Sequence, residues 1–288
     1  MLDILLGVLA FNAVLIIFKY LSQYKVDNLQ ALFYNYLIAG ICGIYYSREL
    51  FSIETLTQSS FSLFGFLIGG LFIASFLFLA VAAQKIGMGV ATTANKMSVI
   101  FPILAAFAFL NEVVTSQKVL GIVLALIAVY LATKTKREGK VSWSEIGILL
   151  VIFVGQGIAD IFFNLASAWY VKGEEKGLFF TCIFLAAALI GLIVIVYRVF
   201  SGKSTIQLKA LPWGVSLGIL NFCTLYFFFS ALESQFLDSS QIYPIFNMAI
   251  ILIAAIAGFI WFKEKLSLTN WIGIGIAIIS ILLLGFNF

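Results

Sequence analysis

The chain alternates between long apolar runs and short polar connections. Ten apolar runs fall at roughly 3–21, 29–47, 61–84, 89–110, 117–134, 145–170, 178–199, 211–232, 239–262 and 268–286. Each approaches the about 20 residues that an α-helix needs to cross bilayer hydrocarbon. Polar residues gather between the runs, most of all in "RELFSIETLTQSS" after the second and "KTKREGKVSWSE" after the fifth. The pattern predicts an all-α, polytopic membrane protein with ten transmembrane helices. Within these 288 residues no stretch is left for an ATPase, kinase or soluble sensor module.

The runs divide five and five around the charged segment Lys134 to Lys140, and the halves are similar. "FLNEVVTSQKVLGIVLALIAVYL" parallels "WFKEKLSLTNWIGIGIAIISILL", with Glu112 and Gly121 spaced like Glu264 and Gly273 at an offset of 152 residues. The same offset lays the polar start of span 4, Ala91 to Ser98, over Tyr243 to Ile250 of span 9. The expected organisation is a first five-helix repeat over 1–135, a charged linker over 136–144 and a second five-helix repeat over 145–288. An odd number of spans per repeat makes the second copy enter the membrane the opposite way, an arrangement that in transporters puts the site near the midplane.

Composition sharpens this reading. The chain is 63% hydrophobic and 10% charged, whereas a soluble domain is about 25% charged. The absence of histidine removes the commonest general base and metal ligand. Cys42, Cys182 and Cys223 lie in apolar runs without CxxC spacing and read as packing residues. Neither a metal nor a cofactor is expected. The formal net charge of +4 is spread over short loops, which suggests no nucleic-acid partner. "MLDILLGVLAFNAVLIIF" lacks a basic n-region and a small-residue cleavage site and reads as a retained first span.

Polar residues inside the spans are the candidate chemistry. In "VATTANKMSVIFP", Lys96 lies among Thr92, Thr93, Asn95 and Ser98. Counted from the start of its span it is about 10 Å deep, where a lysine is costly but can snorkel toward the nearer interface. Its polar neighbours occupy more than one face, which suits a wet cavity or a neighbouring helix better than lipid. In span 6, Gln156, Asp160, Asn164 and Ser167 form one continuous face. Asp160 is near the middle of that span and too short to snorkel, so it must face protein or water, or be protonated. Counting from the span starts separates Lys96 and Asp160 by roughly 10 Å in depth. That favours a cavity with a cation toward one end and a carboxylate deeper in over a direct ion pair. Such a site suits a zwitterion, such as an amino acid, or an organic anion.

Further polar faces come from Ser240, Tyr243 and Asn247 beside Pro244 in span 9, and from Asn12, Lys19 and Gln23 in span 1. Span 2 adds Tyr34 and Asn35, and span 8 adds Asn221 and Tyr226. Singly, these are ordinary interhelical hydrogen-bonding residues; together they favour a central cavity. The candidate solute-binding set is Lys96, Asp160, Asn164, Gln156, Asn95, Thr92, Tyr243, Asn247, Asn12 and Tyr34. Glu112 and Glu264, at helix ends near water, read as structural, and the glycines after them as close helix packing.

Ten spans in two halves, a Glu closing spans 4 and 9, and a Gly-rich span after each resemble the EamA family of the drug/metabolite transporter superfamily. The resemblance is strongest in "SVIFPILAAFAFLNEVVTSQKVLGIVLALIAVYLA" and "SSQIYPIFNMAIILIAAIAGFIWFKEKLSLTNWIGIGIAIISI". Pro102 matches a proline common in span 4, while Pro244 sits earlier in its span. Span 1 lacks the usual Trp-Gly, though Lys19 falls near the usual lysine. The resemblance implies a secondary carrier of small metabolites or drug-like solutes with both termini inside the cell. The loop charges point the other way: twelve Lys and Arg face one side and four the other, a bias that puts both termini outside.

The leading expectation is therefore a secondary transporter of small polar or amphipathic metabolites. It would work by alternating access in the cell membrane, as a multi-pass protein of a bacterial inner membrane. Its partners would be the solute and the bilayer, with the chain a monomer or homodimer. A lipid-linked substrate flippase of the same superfamily is the alternative. An intramembrane enzyme finds no HExxH and no paired GxGD aspartates, since "GIAD" has one glycine in place. A passive channel more often builds its pore from several copies.

Overall fold

The computed structural model describes residues 1–82, 86, 88–134, 142–234, 236–261 and 266–285. Glu264, Lys85, Lys263, Lys265 and most of the expected linker 136–144 lie outside the described residues. The described chain is helical: α1 (Leu2–Gln23), α2 (Asn28–Tyr46), α3 (Ile53–Gln58), α4 (Ser62–Ala82), α5 (Met88–Met97), α6 (Ile100–Phe109), α7 (Ser116–Thr133), α8 (Trp143–Trp169), α9 (Lys176–Phe200), α10 (Ala210–Glu233), α11 (Ser239–Trp261) and α12 (Leu268–Gly285). Nine described stretches are long and apolar enough to cross a membrane. The tenth helix, α2, has 19 residues, its apolar character diluted by Asn28, Gln30, Asn35 and several tyrosines.

Three local features differ from the sequence expectation. Span 4 is not one regular helix but α5 and α6, separated at Ser98 and Val99. Pro102 has no N–H to offer the Ser98 carbonyl, which is taken instead by Phe101 N at 2.9 Å, while Ser98 Oγ bonds Asn95 O at 2.5 Å. The polar loop after span 2 contains α3, started by a capping box between Ser52 and Thr55. Span 6 starts earlier than residue 145, because Trp143 and Ser144 already belong to α8. Ser142 caps that helix, its N–H bonding Glu145 Oε2 at 2.7 Å.

The chain forms two compact units, each drawn from both halves of the sequence. One comprises residues 1–73 and 165–230, the other 74–164 and 231–288. In the first unit, Val14, Leu21, Ala31, Ala210 and Leu217 pack α1, α2 and α10 together. Helices α2 and α9 cross where Gly43 and Gly177 lie against Thr181 and Ser47, the close approach that small residues permit between membrane helices.

In the second unit, Ala125, Ala128, Val129, Met248, Ile251 and Ala277 join α7, α11 and α12. Gly121 of α7 faces Leu284, and Gly273 of α12 faces the backbone of Leu131 and Ala132. Both glycines thus serve close packing, as their spacing suggested.

Candidate functional site

The polar face of α8 organises the second unit. Gln156 is its hub: its Oε1 accepts from Asn95 Nδ2 of α5 at 3.4 Å, and its Nε2 donates to Asp160 Oδ1 at 3.0 Å. One turn further along, Tyr243 of α11 donates its hydroxyl to the Asp160 carbonyl at 3.1 Å, and Asn247 donates to the Tyr243 carbonyl at 3.1 Å. Asn164, a turn beyond, is buried and donates to Ser239 Oγ at 2.9 Å and to the Pro102 carbonyl at 3.5 Å. Gly157 lets α6 lie against α8, with the Phe101 ring where a Cβ would stand.

Lys96 sits in the last turn of α5, just before the Ser98–Val99 kink. The unpaired carbonyls at a helix C-terminus favour a cation there. Lys96 and Asp160 lie on helices joined by the Asn95–Gln156 hydrogen bond. The two charges are closer in depth than counting from the span starts suggests. That bond sets the register, so that Asp160 lies one turn of α8 beyond Asn95 and only about 4.5 Å beyond the level of Lys96. Thr92, one turn before Lys96, is half-buried, and Thr93 bonds Thr133 of α7.

Eight of the ten candidate residues, Thr92, Asn95, Lys96, Gln156, Asp160, Asn164, Tyr243 and Asn247, therefore belong to this unit. Among them, hydrogen bonds link Asn95, Gln156, Asp160, Tyr243 and Asn247, with Lys96 next to Asn95 on α5. Asn12 and Tyr34 belong to the other unit. Asn12 is buried and bonds the Val8 carbonyl of its own helix, leaving its Oδ1 without a partner among the described residues. Tyr34 packs on the α1–α2–α10 core. Asn35 and Asn221 bond each other at 3.3 Å.

Glu112 plays a more specific part than its place at a helix end suggested. Its carboxylate accepts Ser239 N at 2.8 Å, Ser239 Oγ at 2.6 Å and Ser240 N at 3.0 Å, capping α11 from the α6–α7 loop. Asp238, the local capping residue, is instead paired with Lys118 of α7. The "DSSQ" run announces a helix start, but nothing local names Glu112 as its partner. Among the described residues no cluster of acidic, histidine or cysteine side chains fits a metal ion.

A lysine and an aspartate on neighbouring helices beside the interrupted span 4, among amide and phenol groups, offer opposite charges to a small solute. A protein of Haemophilus influenzae with no assigned function is 26% identical over 94% of this chain and 93% of its own length. A probable 4-amino-4-deoxy-L-arabinose-phosphoundecaprenol flippase subunit ArnE of Hamiltonella defensa subsp. Acyrthosiphon pisum is 47% identical over 51 residues, 18% of this chain and 45% of that protein. A solved crystal structure has the same fold, with a TM-score of 0.74 at 13% identity over 98% of this chain and 94% of that one. The model of the EamA-like transporter family matches twice, over residues 1–134 and 146–286, and with the helical architecture and paired halves this makes the chain a member of that family.

Proposed function

We propose that this protein is a secondary carrier for a small zwitterionic or anionic metabolite, working by alternating access. The observation that carries the reading is the hydrogen-bonded run Asn95–Gln156–Asp160, with Lys96 next to Asn95, beside the interruption of span 4. Broken spans of this kind border the binding sites of other secondary transporters. Lys96 receives the carboxylate of the solute. Asp160 receives its ammonium group, or carries a proton when the solute is an anion. Asn95, Asn247 and Thr92 supply neutral hydrogen bonds around it. The repeats proposed for residues 1–135 and 145–288 each contribute helices to both compact units, and the protein works in the cell membrane of a bacterium, as a monomer or homodimer.

The test is a metabolite-wide thermal-shift screen of the purified protein, repeated with Lys96→Ala and Asp160→Asn. A compound that stabilises the parent but neither variant, and that exchanges across liposomes, supports the reading. A panel in which no zwitterion or organic anion shifts the parent or moves by counterflow overturns it.

A flippase for a lipid-linked polar group is the second reading, favoured by the local similarity to the ArnE protein. In that case a polyprenyl-phosphate-linked amino sugar stabilises the parent, and the water-soluble metabolites do not.

A further inference from the structure

In the first unit, an apolar groove of about 310 Å³ runs between α2 and α9 toward the loop that follows α9. Phe33 and Tyr34 form one wall, Leu192, Val196 and Phe200 the other, and Ile206 closes the end. Phe200 is 89% exposed and Ile206 67%. From Leu192 to Phe200 the groove follows about 12 Å of helix, the outer part of one leaflet.

The end of the groove is built from polar groups with fixed positions. Gln30 donates to the Thr205 carbonyl at 2.7 Å and accepts Gln207 N at 2.7 Å, which pins the loop to the start of α2. Arg198 is held by Asp27 at 3.3 Å, and Lys209 donates to the Lys25 carbonyl at 2.9 Å. Lys203 is exposed, with its ammonium 5.6 Å from the Tyr197 ring, next in sequence to Val196. Lys25, Arg198, Lys203 and Lys209 thus share this edge of the unit, where Asp27 pairs with Arg198. An apolar channel ending under a surplus of cations matches a lipid with an acyl chain below and negative charge above, the pattern by which basic sites beside membrane helices select anionic lipids.

We infer that this groove is a docking site for an anionic phospholipid, with one acyl chain between α2 and α9 and the phosphate at Lys203. The inference is independent of which solute the protein carries. Arg198 and Lys209 are held by protein partners; of the two exposed lysines, Lys25 and Lys203, Lys203 directly follows the groove wall α9, its N–H bonding the Arg198 carbonyl, and is the cation placed to select the headgroup. The groove walls bind the chain whatever its headgroup.

The experiment is native mass spectrometry of the full chain released from nanodiscs of equal parts phosphatidylglycerol and phosphatidylethanolamine. Phosphatidylglycerol adducts should dominate. Lys203→Ala should lower their preference about fivefold, the effect of one basic residue near an anionic surface. Val196→Trp, which fills the groove, should remove the adducts; Ile206→Trp repeats that test should Val196→Trp melt early. Equal retention of both lipids, or adducts that survive both tryptophan variants, overturns the inference. So does a dimer without lipid that Val196→Trp dissociates, which would assign the groove to a second copy of the chain.

Discussion

The carboxylate of Glu112 closes the N-terminus of α11 through Ser239, accepting both its backbone N–H at 2.8 Å and its hydroxyl at 2.6 Å. The residues are 127 apart in sequence, so the cap is a tertiary contact joining the α6–α7 loop to the second half of the chain. Ser239 Oγ also accepts from Asn164, whose amide reaches the Pro102 carbonyl. One carboxylate thereby ties α6, α8 and α11 together a turn from Asp160. Its negative charge also suits the positive end of α11.

Removing that carboxylate should loosen the site without touching a charged candidate residue. Glu112→Ala is expected to lower stability by about 1–2 kcal/mol, the usual effect of losing a helix cap. Ser239→Ala should cost less, since two backbone N–H groups still reach Glu112. In thermal melts of detergent-solubilised protein, the double variant should fall short of the sum of the singles. Additive losses would mean that Glu112 and Ser239 act separately.

The sequence carried some of this arrangement and not the rest, for physical reasons. Span number and the polar face of α8 follow from periodicity and from the intolerance of hydrocarbon for charge, so both are legible in one dimension. Pro102 stood in the sequence only as a proline within span 4, and the interruption at Ser98–Val99 depends on which carbonyl is left over and what takes it. The relative depth of Lys96 and Asp160 depends on the register of α5 against α8, set by Asn95 and Gln156. A linear count cannot supply that register. Glu112 shows the same limit, since its charge is plain in the sequence and its partner is not.

The matched glycines Gly121 and Gly273 should respond differently to alanine. A Cβ at Gly273 would meet the backbone of Leu131 and Ala132, which cannot move aside, whereas at Gly121 it would meet Leu284 side-chain atoms at 2.7 Å. Gly273→Ala is expected to destabilise by about 1–3 kcal/mol, as overpacking does, and Gly121→Ala by less. Gly275 has open space where its Cβ would stand, so Gly275→Ala should gain about 0.4–1 kcal/mol. Melting temperatures in the order Gly275→Ala, parent, Gly121→Ala, Gly273→Ala would bear this out, and a milder effect at Gly273 than at Gly121 would contradict it.

Asn270 serves both ends of a helix junction. Its Oδ1 accepts Ser267 N at 2.9 Å at the start of α12, while its Nδ2 lies 2.9–3.2 Å from the carbonyls of Leu131, Ala132 and Lys134 at the end of α7. Asn270→Asp keeps the acceptor but removes the donor and adds negative charge where carbonyls already concentrate it. It should therefore destabilise more than Asn270→Ala, which costs about 1–3 kcal/mol for the unsatisfied groups. Equal melting of the two variants would show that the carbonyls do not depend on Asn270.

The sharpest test of the site uses Lys96 and Asp160 together. Inside a membrane protein each charge is tolerated because the other is near, so removing one leaves the second without its counter-ion. Lys96→Met and Asp160→Asn should each lower the melting temperature, and the double variant should recover part of the loss, with a coupling of about 0.5–3 kcal/mol. Transport behaves differently, because the solute needs both charges: singles and double alike should lose counterflow. Recovery of stability without recovery of transport separates a pair that binds solute from one that only holds helices together. If the double variant melts at the sum of the single losses, the charges are not partners. If it transports like the parent, the solute is bound elsewhere.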